Sequence, residues 1–176
     1  VNYVLIISTN AGLWGYNIGD TIEFTSIKPY RIIVTGRIKH FISAFGEHVI
    51  AKEVEQALQE VVAGTAIKIN EFTVAPQVNP PKNELPYHEW LIEFENEPED
   101  MQGFAKRIDT AMQKQNSYYY DLIAGKILQP VVISKVAKNG FQNYMKSVGK
   151  LGGQNKIPRL SNDRKIADSI EISNKK

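Results

Sequence analysis

The chain has 176 residues, 43% of them apolar and 23% charged, with a formal net charge of +2, the balance of a folded globular domain. It contains no cysteine, which excludes a disulfide framework and thiolate metal sites and fits a reducing, cytoplasmic location. No apolar run nears the length of a membrane span and no charged-then-apolar leader opens the chain, so no membrane partner is expected.

Tyr3 to Ser8 is a continuous apolar run that predicts a buried strand. Thr9-Asn10-Ala11-Gly12 is a turn. Thr21 to Thr25 alternates and predicts a half-buried strand, Pro29 breaks the chain, and Arg31 to Thr35 predicts a third strand stopped by Gly36. Three strands on short turns make a small antiparallel sheet. Beyond Gly36-Arg37-Ile38-Lys39 the pattern changes. Phe41 to Phe45 is a short strand ended by Gly46. Ile50, Val54, Ala57, Leu58, Val61 and Val62 fall on one helical face, with Gly64 as the stop. Ala66 to Ala75 is strand-like, and its alternation changes phase near Asn70-Glu71, which predicts a bulge. Pro76 to Pro86 is an exposed loop.

Tyr87 to Glu95 is a strand with Trp90, Ile92 and Phe94 on one face and Glu89, Glu93 and Glu95 on a wet one. Met101, Phe104, Ala105, Ile108 and Met112 mark a second helix, and Tyr118 to Ile123 adds a further turn or two. Ile127 to Val136 is a strand whose start, interrupted by Pro130, lies at an edge. Phe141, Tyr144, Met145 and Val148 mark another helix ended by Gly149, and Ser161-Asn162-Asp163 signals the start of a last short one. The expected class is α+β. A small antiparallel sheet (residues 1–38) is followed by a compact mixed α/β domain (residues 39–176).

Candidate chemistry is sparse. Asp20 follows Gly19, where a ligand can come close, and a carboxylate there can accept from both ribose hydroxyls; the plainer reading is a turn aspartate bonded to its own backbone. Arg37 suits phosphate or ribose, or is a surface arginine. Lys39 marks either a hinge or a solvated lysine. Lys156 lies in Gly152-Gly153-Gln154-Asn155-Lys156-Ile157-Pro158-Arg159, a loop freed by glycines and directed by Pro158, which can deliver a cation to an anionic transition state; its plainer reading is an exposed loop charge. His40, His48 and His88 lack metal-ligand spacing, so no metal site is expected in the chain. No P-loop and no nucleophile elbow is present. From Lys135 onward ten Lys or Arg stand against three Asp or Glu, while before it eleven stand against sixteen. These basic residues form no dense block, so no nucleic-acid partner is expected; a binding module with a basic tail remains the reading outside enzymes.

Taken in order, Tyr16-x-x-Gly19-Asp20, Gly36-Arg37-x-Lys39, Gly46 and Glu53-Val54-Glu55 resemble the adenylate-forming, luciferase-like superfamily. Thr9-Asn10-Ala11-Gly12-Leu13-Trp14, His88-Glu89-Trp90-Leu91-Ile92-Glu93-Phe94 and the Lys156 loop are similar to one branch of it. That branch is the Gretchen Hagen three family, the auxin-responsive acyl acid–amido synthetases and their bacterial relatives, of which the bacterial type is the more similar. The resemblance implies the C-terminal portion of an ATP- and Mg-dependent enzyme that adenylates a carboxylic acid and passes the acyl group to an amino acid; an acyl-CoA ligase is the alternative. It implies that Asp20 holds the ribose hydroxyls, that Tyr16 lines the adenine and ribose side, and that Arg37 contacts ribose or phosphate. Lys39 becomes the hinge, and Lys156 the lysine that stabilises charge as the carboxylate attacks the α-phosphate. Residues 1–38 become the end of a large N-terminal domain of the same chain, residues 39–176 its lid, and this part alone is expected to be inactive. Gly15 and Asn17 depart from the family, which commonly has arginine at each place.

Overall fold

The computed structural model describes residues 1–37, 41–81, 84–152 and 155–173, with the backbone alone at Arg37 and Phe41. Lys39 and His40 lie outside the described residues.

The chain opens on a meander. Strands β1 (Tyr3–Ile7), β2 (Tyr16–Ile27) and β3 (Tyr30–Arg37) form an antiparallel sheet in the order β1-β2-β3. β1 is a strand, as its apolar run predicts, but it is not buried: Tyr3, Val4 and Ile6 are 49%, 47% and 61% exposed. Among the described residues of this sheet only Ile22 and Thr35 are buried. An apolar run reports what a strand would bury, whereas burial needs a second layer, and among the described residues none lies on β1.

The second unit is layered. A short hairpin of β4 (Phe41–Ile42) and β5 (Val49–Ile50) leads into α1 (Ala51–Val62). Then come β6 (Lys68–Gln77), β7 (Tyr87–Asn96), α2 (Met101–Gln115), α3 (Ser117–Ala124), β8 (Val132–Lys135), α4 (Gly140–Ser147) and α5 (Lys165–Ser169). β7 is the central strand of a sheet ordered β6-β7-β8, antiparallel to β6 and parallel to β8. The fold is α+β, with a small antiparallel sheet and a mixed one.

The apolar pattern explains the layers. Val54, Ala57, Leu58 and Val61 of α1 and Phe104, Ile108 and Met112 of α2 pack with Trp90 and Ile92 of β7. On the other face Leu91 and Ala75 pack with Phe141 of α4 and Ala167 and Ile170 of α5. Asn70 is the unpaired residue of the β6 bulge, so the phase change lets Phe72 and Val74 join the first of these cores. α1 starts at a nonpolar residue, and the Glu53 carboxylate supplies the missing acceptor, taking the N–H of Ile50 at 3.0 Å. α2 is capped by Asp100, which accepts from the Gly103 N–H at 2.8 Å.

The second face of β7 corrects the expectation of a wet carboxylate row. Glu93 is buried, and it accepts the backbone N–H of Asn139 at 2.9 Å and of Phe141 at 3.4 Å. The start of α4 therefore sits on this carboxylate, where the exposed amides and the helix dipole favour an anion. Glu89 is mostly covered as well, bonded by Arg164 at 2.7 Å. Alternation along one strand cannot show that a distant helix start will cover its polar side.

Candidate functional site

Asp20 and Arg37 are brought together by strand register. They are direct partners across β2 and β3; the register set at the Ile27–Tyr30 end slips between Phe24 and Ser26 and is restored between Thr21 and Ile22. On the other side of β2 the register slips, so that Ile18, Gly19 and Asp20 stand opposite Leu5 alone. This bulge turns on Gly19, whose φ of 84° is left-handed. The Gly19 N–H donates to Asn17 Oδ1 at 2.8 Å. A Cβ built at Gly19 meets nothing within 4 Å, so the backbone beside Asp20 is open to an approaching group. Tyr16 stands at the start of the same strand, half exposed.

The two departures from the family pattern have local reasons. Gly15 has φ of 58°, and its N–H donates to Ser8 Oγ at 3.0 Å. An arginine there would carry the strain of a left-handed residue. Asn17 supplies the acceptor that holds the bulge, which an arginine, having donors only, cannot do.

Lys156 lies on the second unit, exposed at the rim of a cleft of about 300 Å³ shared with Asn70, Glu71, Glu93, Gln142 and Lys150. The freedom expected of its loop does not extend past it. Ile157 is buried, the Pro158 carbonyl accepts from Thr73 Oγ1 at 2.7 Å, and the Arg159 carbonyl accepts from the Val74 N–H at 2.9 Å. Lys156 thus ends an anchored segment. Lys39, the expected hinge, is outside the described residues.

Sequence reasoning missed a buried polar cluster under the start of α1. Glu47 and His88 are almost inaccessible, and His88 Nε2 meets Glu47 Oε1 at 2.9 Å. Burial works to raise the Glu47 pKa, but the hydrogen bond and charge of His88 and backbone N–H groups at Phe45 and Glu47 hold it below the ordinary range. Asn116 Nδ2 donates to the Glu47 carbonyl at 3.1 Å and to Glu53 at 3.2 Å. Burial pushes the Glu53 carboxyl up against the hydrogen bonds from Ile50 and Asn116. The Tyr119 hydroxyl donates to Asp109 at 2.7 Å. This cluster ties the β4–β5 hairpin to β7 and α3. Its one signal in sequence was polar residues inside apolar patterns, and nothing there pairs Glu47 with His88.

Among the described residues no cluster of three or more His, Asp or Glu side chains suited to a metal ion occurs, and no helix is long and apolar enough to cross a membrane.

The profile of the GH3 family C-terminal domain matches residues 49–165, and that of the GH3 family central domain matches residues 1–37. The chain belongs to the GH3 family. A solved GH3.15 acyl acid amido synthetase superposes with a TM-score of 0.72 at 16% identity, over 99% of this chain and 35% of that one. AtGH3.15 acyl acid amido synthetase in complex with 2,4-DB gives 0.69 at 16% identity, over 99% and 34%. This GH3 chain therefore has the fold of the corresponding part of an acyl acid amido synthetase, and it spans about a third of the length of the solved structures it matches. No curated protein sequence matches it.

In this GH3 chain the motif Glu53-Val54-Glu55 and the Lys156 loop, far apart in sequence, meet in space. Arg159 Nε donates to Glu55 Oε1 at 3.1 Å. Neither residue was singled out for this contact, since its partners are 104 positions apart.

Proposed function

We propose that this chain works as the C-terminal part of an ATP-dependent acyl acid–amido synthetase, residues 1–38 ending a large domain and residues 39–176 forming its lid. In the first step a carboxylate oxygen of the acid attacks the α-phosphorus of ATP, the bond to pyrophosphate breaks, and an acyl-adenylate forms. In the second an amino acid nitrogen attacks the acyl carbon, AMP leaves with the carboxylate oxygen, and the nitrogen gives up a proton. The observation that carries this proposal is one fold, matched over 99% of the chain, that holds the central-domain and C-terminal-domain regions in family order.

The residues fit the nucleotide at one end. Open space at the Gly19 bulge lets a ribose approach Asp20, whose carboxylate accepts from its two hydroxyls. Tyr16 lines the adenine and ribose side, and Arg37, held opposite Asp20 by register, meets ribose or phosphate. Lys156, exposed and not committed to the core, neutralises charge as it develops on the transferring phosphate. Lys39 is the hinge about which the lid turns between the two steps. The described residues offer no ready cage for magnesium, and no step here runs through the ion. The apolar surface of the meander is the seat of the large domain. A cytoplasmic setting, in keeping with the lack of cysteine, belongs to the same proposal.

The test is acid-dependent ATP–pyrophosphate exchange by the longer protein that carries this chain, followed by product analysis with amino acids or with coenzyme A. Exchange with amide as product is expected, and Asp20→Ala should raise the KM for ATP. No exchange with any of a broad acid panel would sink the proposal. Thioester in place of amide would favour the acyl-CoA ligase. This chain alone should turn nothing over.

A further inference from the structure

The four residues after Lys156 are fastened one by one. Ile157 is buried with Leu91 and Phe141. The Pro158 carbonyl accepts a hydrogen bond from the Thr73 hydroxyl. The Arg159 carbonyl accepts from the Val74 N–H, and the Ser161 N–H donates to the Val74 carbonyl, both at 2.9 Å. Leu160, buried, forms a parallel bridge with Val74. The segment thus lies along the outer edge of β6 as one more short length of strand.

One side chain locks that segment to two elements at once. The Arg159 guanidinium bonds Glu55 of α1 at 3.1 Å through Nε, and the Glu71 carboxylate of β6 through Nη1. Nη1 also reaches the Phe72 carbonyl at 3.3 Å. Its Cζ lies over the Phe72 ring, 4.6 Å from the centroid, and that ring stacks on buried Trp90 at 6.0 Å and 9°. A planar fork with an apolar face can grip two carboxylates and a ring together, and a lysine cannot. Arg159 is two-thirds covered, its side chain 33% exposed, so these bonds are not mere surface pairs.

We propose that Arg159 positions Lys156, a role that rests on the reading of Lys156 as the lysine meeting the transferring phosphate. Lys156 stands one residue before the anchored stretch, so the Glu55–Arg159–Glu71 clamp sets where its ammonium is delivered. Arg159 touches no substrate itself; it acts through the backbone path between residues 156 and 160.

The experiment compares Lys156→Ala, Arg159→Gln, Arg159→Lys and the Lys156→Ala/Arg159→Gln pair in the full-length protein. Loss of the clamp should lower kcat for adenylate formation about ten- to a hundredfold, as small misplacements of a reacting group do, with KM for ATP and acid held within about twofold. Arg159→Lys should recover only part of the rate. The double variant should be no slower than Lys156→Ala alone, because residues acting as a unit do not add. Multiplying losses, or an unchanged kcat in Arg159→Gln while Lys156→Ala is slow, would overturn the positioning role and leave the Lys156 reading standing. An unchanged rate in Lys156→Ala would remove both. Where Arg159→Gln does not fold, Glu55→Gln decides: it trims one arm at a half-exposed carboxylate, and an unchanged kcat there is the negative result. Amide hydrogen exchange on this chain gives a second readout. Arg159→Gln should unprotect Val74 and Ser161 and spare Asn116; retained protection at Val74 and Ser161 would overturn the clamp.

Discussion

The meander and the layered unit carry similar apolar content and bury it in opposite ways. Trp14, Ile27, Tyr30 and Val34 are 83%, 67%, 79% and 64% exposed, while Trp90, Ile92 and Phe104 are fully buried. The layered unit has helices on both faces of its sheet and completes its own cores. A sheet with no second layer among the described residues keeps its apolar side chains in water, and on the proposed function that surface is where the large domain sits. The contrast assigns self-sufficient stability to the layered unit and, on the proposed function, a borrowed one to the meander.

The largest expected effect lies in the core of the layered unit. Trp90→Ala removes a fully buried ring stacked on Phe72 and should cost roughly 3–5 kcal/mol, read as a lowered urea midpoint. A cost below about 1 kcal/mol would mean that this core is not what holds the unit together.

His88→Leu should cost a comparable amount, because it leaves the Glu47 carboxylate buried without its partner; breaking such a pair typically costs about 3–5 kcal/mol. The pH dependence identifies the cause. With His88 in place the folded Glu47 pKa lies below its ordinary 4.5, so its contribution is full above that pH and fades as pH falls through the folded value. Glu53, raised by burial from the same ordinary value, opposes this: its contribution is present below that pH and lost as pH rises through the folded value. Without His88, only the backbone N–H groups at Phe45 and Glu47 oppose burial, so the Glu47 pKa rises and the loss of stability should grow toward neutral pH. Thermal melts of both proteins from about pH 3 to pH 7 should show the change of sign; parallel curves would rule out the pair as the cause.

Much of this architecture was legible beforehand, and the gaps have a common origin. The helical faces, the β6 bulge and the three antiparallel strands follow from local periodicity, which the chain carries within a few residues. The Asp20–Arg37 pairing keeps the register of the tight turn only because two slips between the turn and the pair cancel. The burial of Glu93, the Glu47–His88 pair and the Arg159 clamp join residues 41 to 104 positions apart. No local period encodes those meetings. The exposure of β1 was misread because a strand pattern states a preference for burial and not its fulfilment. Lys39 falls outside the described residues.

A middle-sized effect tests the alkaline side of the layered unit. The Tyr119 ring is fully buried and its hydroxyl donates to Asp109. Burial first, then the charge and hydrogen bond of Asp109, push its pKa well above the ordinary 10.0. A raised folded pKa means stability that is complete below the unfolded value and lost as pH climbs past it. Tyr119→Phe should cost about 1–3 kcal/mol at neutral pH and flatten that alkaline decline. Asp109 keeps the Val131 N–H and the Gln113 amide, which bounds the loss.

The smallest effect is the sharpest test of the contrast. Trp14→Ala, at a ring 83% exposed, should shift the stability of this chain by no more than about 0.5 kcal/mol. On the proposed function the same ring lies against the large domain in the longer protein, and its loss there should cost roughly 1.5–3 kcal/mol, the value of burying a large side chain. The comparison is a pair of urea midpoints, one substitution in two lengths of chain. A cost that appears only in the longer protein would show the covering surface directly. Equal small costs in both would mean that this corner of the meander faces water in either setting, and the seat of the large domain would then have to lie on the face carrying Ile27 or Val34.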